Sequence, residues 1–82
     1  MPDVKVNILF FGVTADVVGR REIELSLEPP VKSGDVFRLI TDHYPKLNEH
    51  RLLFAFNQEY STGNEIVSDG DELGIFSAVS GG

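Results

Sequence analysis

The run Glu22-Ile23-Glu24-Leu25-Ser26-Leu27 alternates polar and aliphatic residues at every position. Only a pleated strand with one face in a core and one in water suits that order, because successive strand side chains leave on opposite faces. An earlier run behaves the same way. Val4, Val6, Ile8 and Phe10 share one face, and Lys5, Asn7, Leu9 and Phe11 share the other. Two half-buried strands need a layer over their apolar side. The spacing after Ser33 predicts that layer, a helix with Val36, Leu39, Ile40, His43 and Tyr44 on one stripe. Pro45 ends it at Tyr44 or earlier.

The remaining punctuation sets the element order. Gly12 ends the first strand, Thr14 caps a single helical turn from Ala15 to Val18, and Gly19 stops that turn. Pro29-Pro30 prevents the second strand from continuing. Leu52 to Asn57 reads as a third strand, apolar on both faces at first and so a candidate central strand. Ser61-Thr62-Gly63-Asn64 is a turn by composition, and Glu65-Ile66-Val67 a short strand. Asp69-Gly70 marks a tight reversal before a last strand from Leu73 to Val79. The order ββαβββ implies an α+β fold: a small mixed sheet with one main helix packed on one face.

With 82 residues, the chain is read as one domain spanning 1–82, near the lower limit for a single core. It has no cysteine, which removes disulfides, thiol nucleophiles and thiolate metal sites, and suits a reducing cytosol. Met1-Pro2-Asp3 has no basic leader, and the apolar stretch from Ile8 to Phe11 is too short to span a bilayer. The expectation is a soluble, cytoplasmic protein with no membrane association. A formal charge of −6 argues against nucleic acid, whose phosphates need Lys and Arg. Such acidity suits a partner with a basic docking surface, or serves solubility alone.

Two features ask for a function. Leu73 and Ile75 point inward, which puts Phe76 on the same outer face as Phe11. With one helix covering only the core face, both aromatics are left toward solvent, as a docking patch or beneath local loops. The second feature is the tail. From Ala78 to Gly82 it carries no charged or bulky group and reaches roughly 15–18 Å when extended. Gly81-Gly82 admits close approach of another protein's backbone to the terminal carboxylate, or else is a fraying end. A slim carboxylate tail can be adenylated and then attacked by sulfur, giving a thiocarboxylate with no catalytic side chain in this chain.

Other chemistry is poorly supplied. His43 and His50 are the only imidazoles and have no cysteine company, which favours structural or surface roles over metal ligation. Ser77 and Ser80 lack a triad. Asp69, Asp71 and Glu72 suit a solvated turn, since the EF-hand spacing is missing. There is no glycine-rich phosphate loop, so no bound cofactor is expected and ATP would belong to a partner enzyme.

Three segments carry a resemblance. Ile8-Leu9-Phe10-Phe11-Gly12 resembles the first strand of molybdopterin synthase small subunits, a family of sulfur carriers. Phe56-Asn57-Gln58-Glu59-Tyr60 is similar to their third strand and the turn after it. The segment from Asp69 to Phe76, followed by Val79-Ser80-Gly81-Gly82, resembles their C-terminal signature. The resemblance implies a ubiquitin-like β-grasp fold with the last strand central and parallel to the first. It also implies that an E1-like enzyme adenylates Gly82, which becomes a thiocarboxylate. The tail of Val79, Ser80, Gly81 and Gly82 would then enter the large subunit and give sulfur to cyclic pyranopterin monophosphate. By resemblance, Phe11, Tyr60 and Phe76 form the apolar patch for that partner, in an assembly of two large and two small subunits. One departure is plain: Ser77 and Ala78 stand where the family usually has prolines, which leaves the tail's exit looser.

Two other readings share parts of this pattern. A carrier for thiamine thiazole synthesis or tRNA thiolation, or a modifier joined to lysines, would have the same fold and tail. A β-grasp interaction module would keep the surface and need no covalent chemistry at Gly82.

Overall fold

A computed structural model describes residues 3–78. Strands β1 (Val4–Phe10) and β2 (Glu22–Leu27) flank a short helix, α1 (Val13–Val18). The main helix α2 (Ser33–His43) follows, then a 3₁₀ turn (Pro45–Glu49), β3 (Leu52–Phe56), β4 (Glu59–Tyr60) and β5 (Glu72–Ser77). The five strands form one sheet in the order β2-β1-β5-β3-β4. β5 runs parallel to β1, and every other pairing is antiparallel.

The alternation decides which face is buried. Val6, Ile8 and Phe10 of β1 and Leu73 and Ile75 of β5 are buried against Val36, Phe37 and Ile40 of α2, with Leu47 and Val67 closing the ends. The ring of Phe37 lies 4.2 Å from that of Phe54 on β3. Along α2 the buried face therefore passes through Phe37, while Leu39 stays 50% exposed. That corrects the expected stripe: the helix is rotated toward β3, away from β2.

As expected, β3 is an interior strand, between β5 and β4, and β5 stands in the middle of the sheet. Other expectations change. Asn57 and Gln58 leave the strand with φ of 48° and 72° and form a two-residue hairpin loop into β4. Glu65-Ile66-Val67 is no strand and makes only one bridge, Ile66 to Lys32. The Glu65 carboxylate is the reason. It accepts hydrogen bonds from Ser33 Oγ, Ser61 Oγ (2.8 Å) and the N–H of Thr62 (3.0 Å), which folds the segment onto the start of α2. Without that partner strand, Asp69-Gly70 turns onto β1, with Lys5 N–H donating to Asp69 Oδ1 at 2.7 Å.

Thr14 is not a cap. Gly12 precedes α1 and Gly19 closes it in the left-handed region (φ 82°), its N–H donating to Ala15 O at 2.8 Å. Thr14 is fully buried inside the turn. Its Oγ accepts the Phe11 N–H at 3.0 Å and faces the carbonyls of Phe11 (2.7 Å) and Ile75 (2.8 Å). α1 is thereby fastened where β1 and β5 end side by side.

Candidate functional site

On the face of the sheet away from α2, the register lines up small and aromatic residues. Leu9 lies opposite Gly74, Gly74 opposite Ala55, and Ala55 opposite Tyr60. In the next row Leu53 lies opposite Phe76. Gly74 has no side chain, and Phe11 folds its ring over the space: a methyl group on Gly74 would meet Phe11 Cε2 at 3.2 Å. Phe76 sits between the other two aromatics. Its ring centre is 6.5 Å from that of Phe11, nearly edge to face, and 6.2 Å from that of Tyr60.

All three residues expected to make a docking patch are thus brought together. Phe11 is 50% exposed and Tyr60 73% exposed. Phe76 is half-buried, which corrects the expectation that it stands in solvent: its neighbours on both sides cover it. A shallow hollow beside Phe76 is lined by Ala55, Gln58, Glu59 and Tyr60, so the apolar centre has a polar and acidic rim. Apolar rings at the centre with charge at the edge are the composition of protein-docking surfaces. Gly74 lies on this face as its alternation with Leu73 and Ile75 required; Leu53 and Ala55 also belong to it, and sequence reasoning missed them. Their signal was the odd-even split within Leu52–Phe56, which apolar residues on both faces concealed.

The patch lies on the strand that leads to the tail. β5 ends at Ser77, and the N–H of Ala78 donates to Arg51 O at 2.8 Å. Val79, Ser80, Gly81 and Gly82, the expected working end, lie outside the described residues. Among the described residues no group of His, Asp or Glu is placed to hold a metal. His43 is exposed with its ring against Tyr44, and His50 is half-buried near the start of β3. No helix of the described residues is long and apolar enough to cross a membrane.

Among the described residues the one strongly shifted carboxyl is Glu65. Burial raises its pKa, but hydrogen bonds from Ser33, Thr62 and Ser61 outweigh this and bring it down to about 2. It lies at the α2 end, apart from the aromatic patch, and its partners explain it as a loop clasp.

One helix laid across a mixed sheet, with the last strand between β1 and β3, defines the β-grasp class of ubiquitin-like proteins. The similarities to known proteins go further. The pattern of the ThiS family matches residues 8–82. A human protein named molybdopterin synthase sulfur carrier subunit is 29% identical, over 100% of this chain and 99% of its own. A Pyrococcus furiosus protein with the candidate name molybdopterin converting factor, subunit 1, superposes with a TM-score of 0.83 at 26% identity, covering 93% of this chain and 99% of that one. Small archaeal modifier protein 1 of Methanosarcina acetivorans superposes with a TM-score of 0.76 at 27% identity, covering 98% of each chain. The chain belongs to the ThiS family.

Proposed function

We propose that this chain is the sulfur-carrier subunit of a molybdopterin synthase. The observation that carries the reading is the Phe11–Phe76–Tyr60 patch, built on the strand that runs into Val79-Ser80-Gly81-Gly82. The name of the human relative supports the pathway. The patch docks the large subunit, and the side-chain-free end beyond it reaches that subunit's active site.

The chemistry resides in Gly82. Its carboxylate attacks the α-phosphate of ATP in an E1-like partner, releasing pyrophosphate and leaving a mixed anhydride with AMP. A sulfur nucleophile then displaces AMP and leaves a thiocarboxylate. Its sulfur passes to cyclic pyranopterin monophosphate in the large subunit, and water restores the carboxylate. This chain supplies the carrier atom and the docking surface, and catalysis belongs to its partners.

The test is intact-mass analysis of N-terminally tagged chain purified from its native host with whatever travels with it. An oxygen-for-sulfur mass gain at Gly82, with a synthase large subunit copurifying, is the expected result. An unmodified end with neither partner overturns the reading. The likeness to an archaeal modifier favours one second reading, attachment to lysines, for which a ladder of conjugates ending at Gly82 is the signature.

A further inference from the structure

The opposite edge of the molecule carries a second surface that the carrier role leaves unused. β2 is an edge strand, with β1 on one side and no strand on the other among the described residues. Phe10 N–H donates to Arg21 O, so with the register Leu9↔Glu22 the ladder bonds of β2 fall at Ile23, Leu25 and Leu27. The backbone N–H and C=O groups of Glu22, Glu24 and Ser26 therefore point away from the sheet. Unpaired edge groups are a template for another strand unless a protein blunts them. Among the described residues no proline or bulge interrupts Glu22–Leu27 and no further strand pairs with it.

Beside that edge runs a groove. Because α2 is rotated toward β3, it leaves a trough against β2 that is mostly apolar, lined by Ile23, Leu25, Leu27, Leu39 and Tyr44 together with the imidazole of His43. Leu39, half-exposed on the helix, forms its outer wall. The other face of β2 presents Glu22 and Glu24, both exposed. An incoming strand would thus meet apolar side chains on its groove face and carboxylates on its other face. The acidic pair also selects against a second copy of this chain, since β2 paired with itself would bring glutamates together.

We propose that the β2 edge and its groove bind an extended partner segment that alternates aliphatic residues with Lys or Arg, adding it as a sixth strand. Main-chain bonds to Glu22, Glu24 and Ser26 supply the pairing, and the groove and glutamates supply the choice of sequence. The groove lies on the α2 side of the sheet, away from Phe11, Tyr60 and Phe76, whereas Glu22 and Glu24 share the aromatic face, Glu22 in the row of Leu9 and Gly74.

The experiment titrates isotope-labelled full chain with a synthetic peptide of alternating lysine and valine, followed by amide NMR. The expected result is saturable shifts confined to Glu22–Leu27 and Leu39–Tyr44. Leu39→Glu should weaken binding at least tenfold. Ser26→Pro, which removes an outward N–H and no ladder bond to β1, should do the same; if it fails to fold, Leu39→Glu alone decides. A lysine–serine peptide that binds equally well would mean charge attraction only, and the proposal falls. It falls also if shifts centre elsewhere or are missing at millimolar peptide. Concentration-dependent shifts of β2 without peptide would assign the edge to a second copy and overturn the proposal equally.

Discussion

Gly74 lies beneath the ring of Phe11, so close that a methyl group there would stand 3.2 Å from Cε2 of that ring and 3.5 Å from Cβ of Ala55. The central strand of the sheet thus holds a vacant position that an aromatic side chain from the end of β1 fills. Gly74→Ala should push the ring outward by a few tenths of an ångström. Relief of glycine's strand penalty of about 0.5–1 kcal/mol offsets the crowding. The melting temperature should stay within a few degrees while affinity for a synthase large subunit falls, as calorimetry would read.

Tyr60 and Phe76 separate binding from folding. Tyr60 is mostly in solvent, so Tyr60→Ala should change stability by no more than about 0.5 kcal/mol. Its loss from one side of the proposed docking patch should weaken large-subunit binding by about tenfold, or about 1.4 kcal/mol. Phe76→Ala should weaken binding at least as much and also cost some stability, since Phe76 packs on both Phe11 and Tyr60. Denaturant unfolding alongside titration calorimetry distinguishes the two effects.

The buried Thr14 hydroxyl links α1 to the ends of β1 and β5. Thr14→Val keeps the shape and removes those bonds. Backbone bonds from Phe11 N–H to Ile75 O and from Thr14 N–H to Phe11 O remain, so the loss should be about 1 kcal/mol. In a domain of this size that lowers the melting temperature by about 4–8 °C. An unchanged melting temperature would show that the backbone bonds alone hold the junction.

Glu65 makes a prediction about pH. Its pKa falls from 4.5 to about 2 on folding, so the folded state favours the ionised form. The stabilisation is complete above about pH 4.5 and is lost as pH drops through 2. Glu65→Gln, which cannot ionise, should be less stable near neutrality and show a flatter stability profile between pH 4.5 and 2. Urea unfolding of both proteins across that range measures it.

Much of this architecture was legible because β1 and β2 alternate cleanly and each buries one face only. β3 was read correctly as an interior strand, but its two faces were not told apart. Leu52, Phe54 and Phe56 face the core while Leu53 and Ala55 belong to the aromatic face, and apolar residues on both sides conceal that split. The middle position of β5, parallel to β1, came from the resemblance and not from its own pattern, in which Gly74 contributes no side chain. Glu65-Ile66-Val67 has the alternation of a strand, but four hydrogen-bond donors around one carboxylate outweigh it, and no local pattern announces the donor from Ser33, more than thirty residues away. On α2, periodicity counted Leu39 and passed over Phe37 because which side a helix leans toward depends on its partner, here Phe54. Phe11 and Phe76 were found from alternation and Tyr60 by resemblance; their mutual packing needed the register.

The placement of β5 has a bearing on how the chain is made. In space β5 stands between β1 and β3; in the order of synthesis it comes after every other strand. Until it emerges, a nascent chain has only the β1–β2 and β3–β4 hairpins, with no ladder bond between them, and isolated hairpins are marginal in water. The aromatic surface therefore assembles only when the strand bearing Gly74 and Phe76 arrives. Translation that stops short of β5 leaves two hairpins without the strand that joins them.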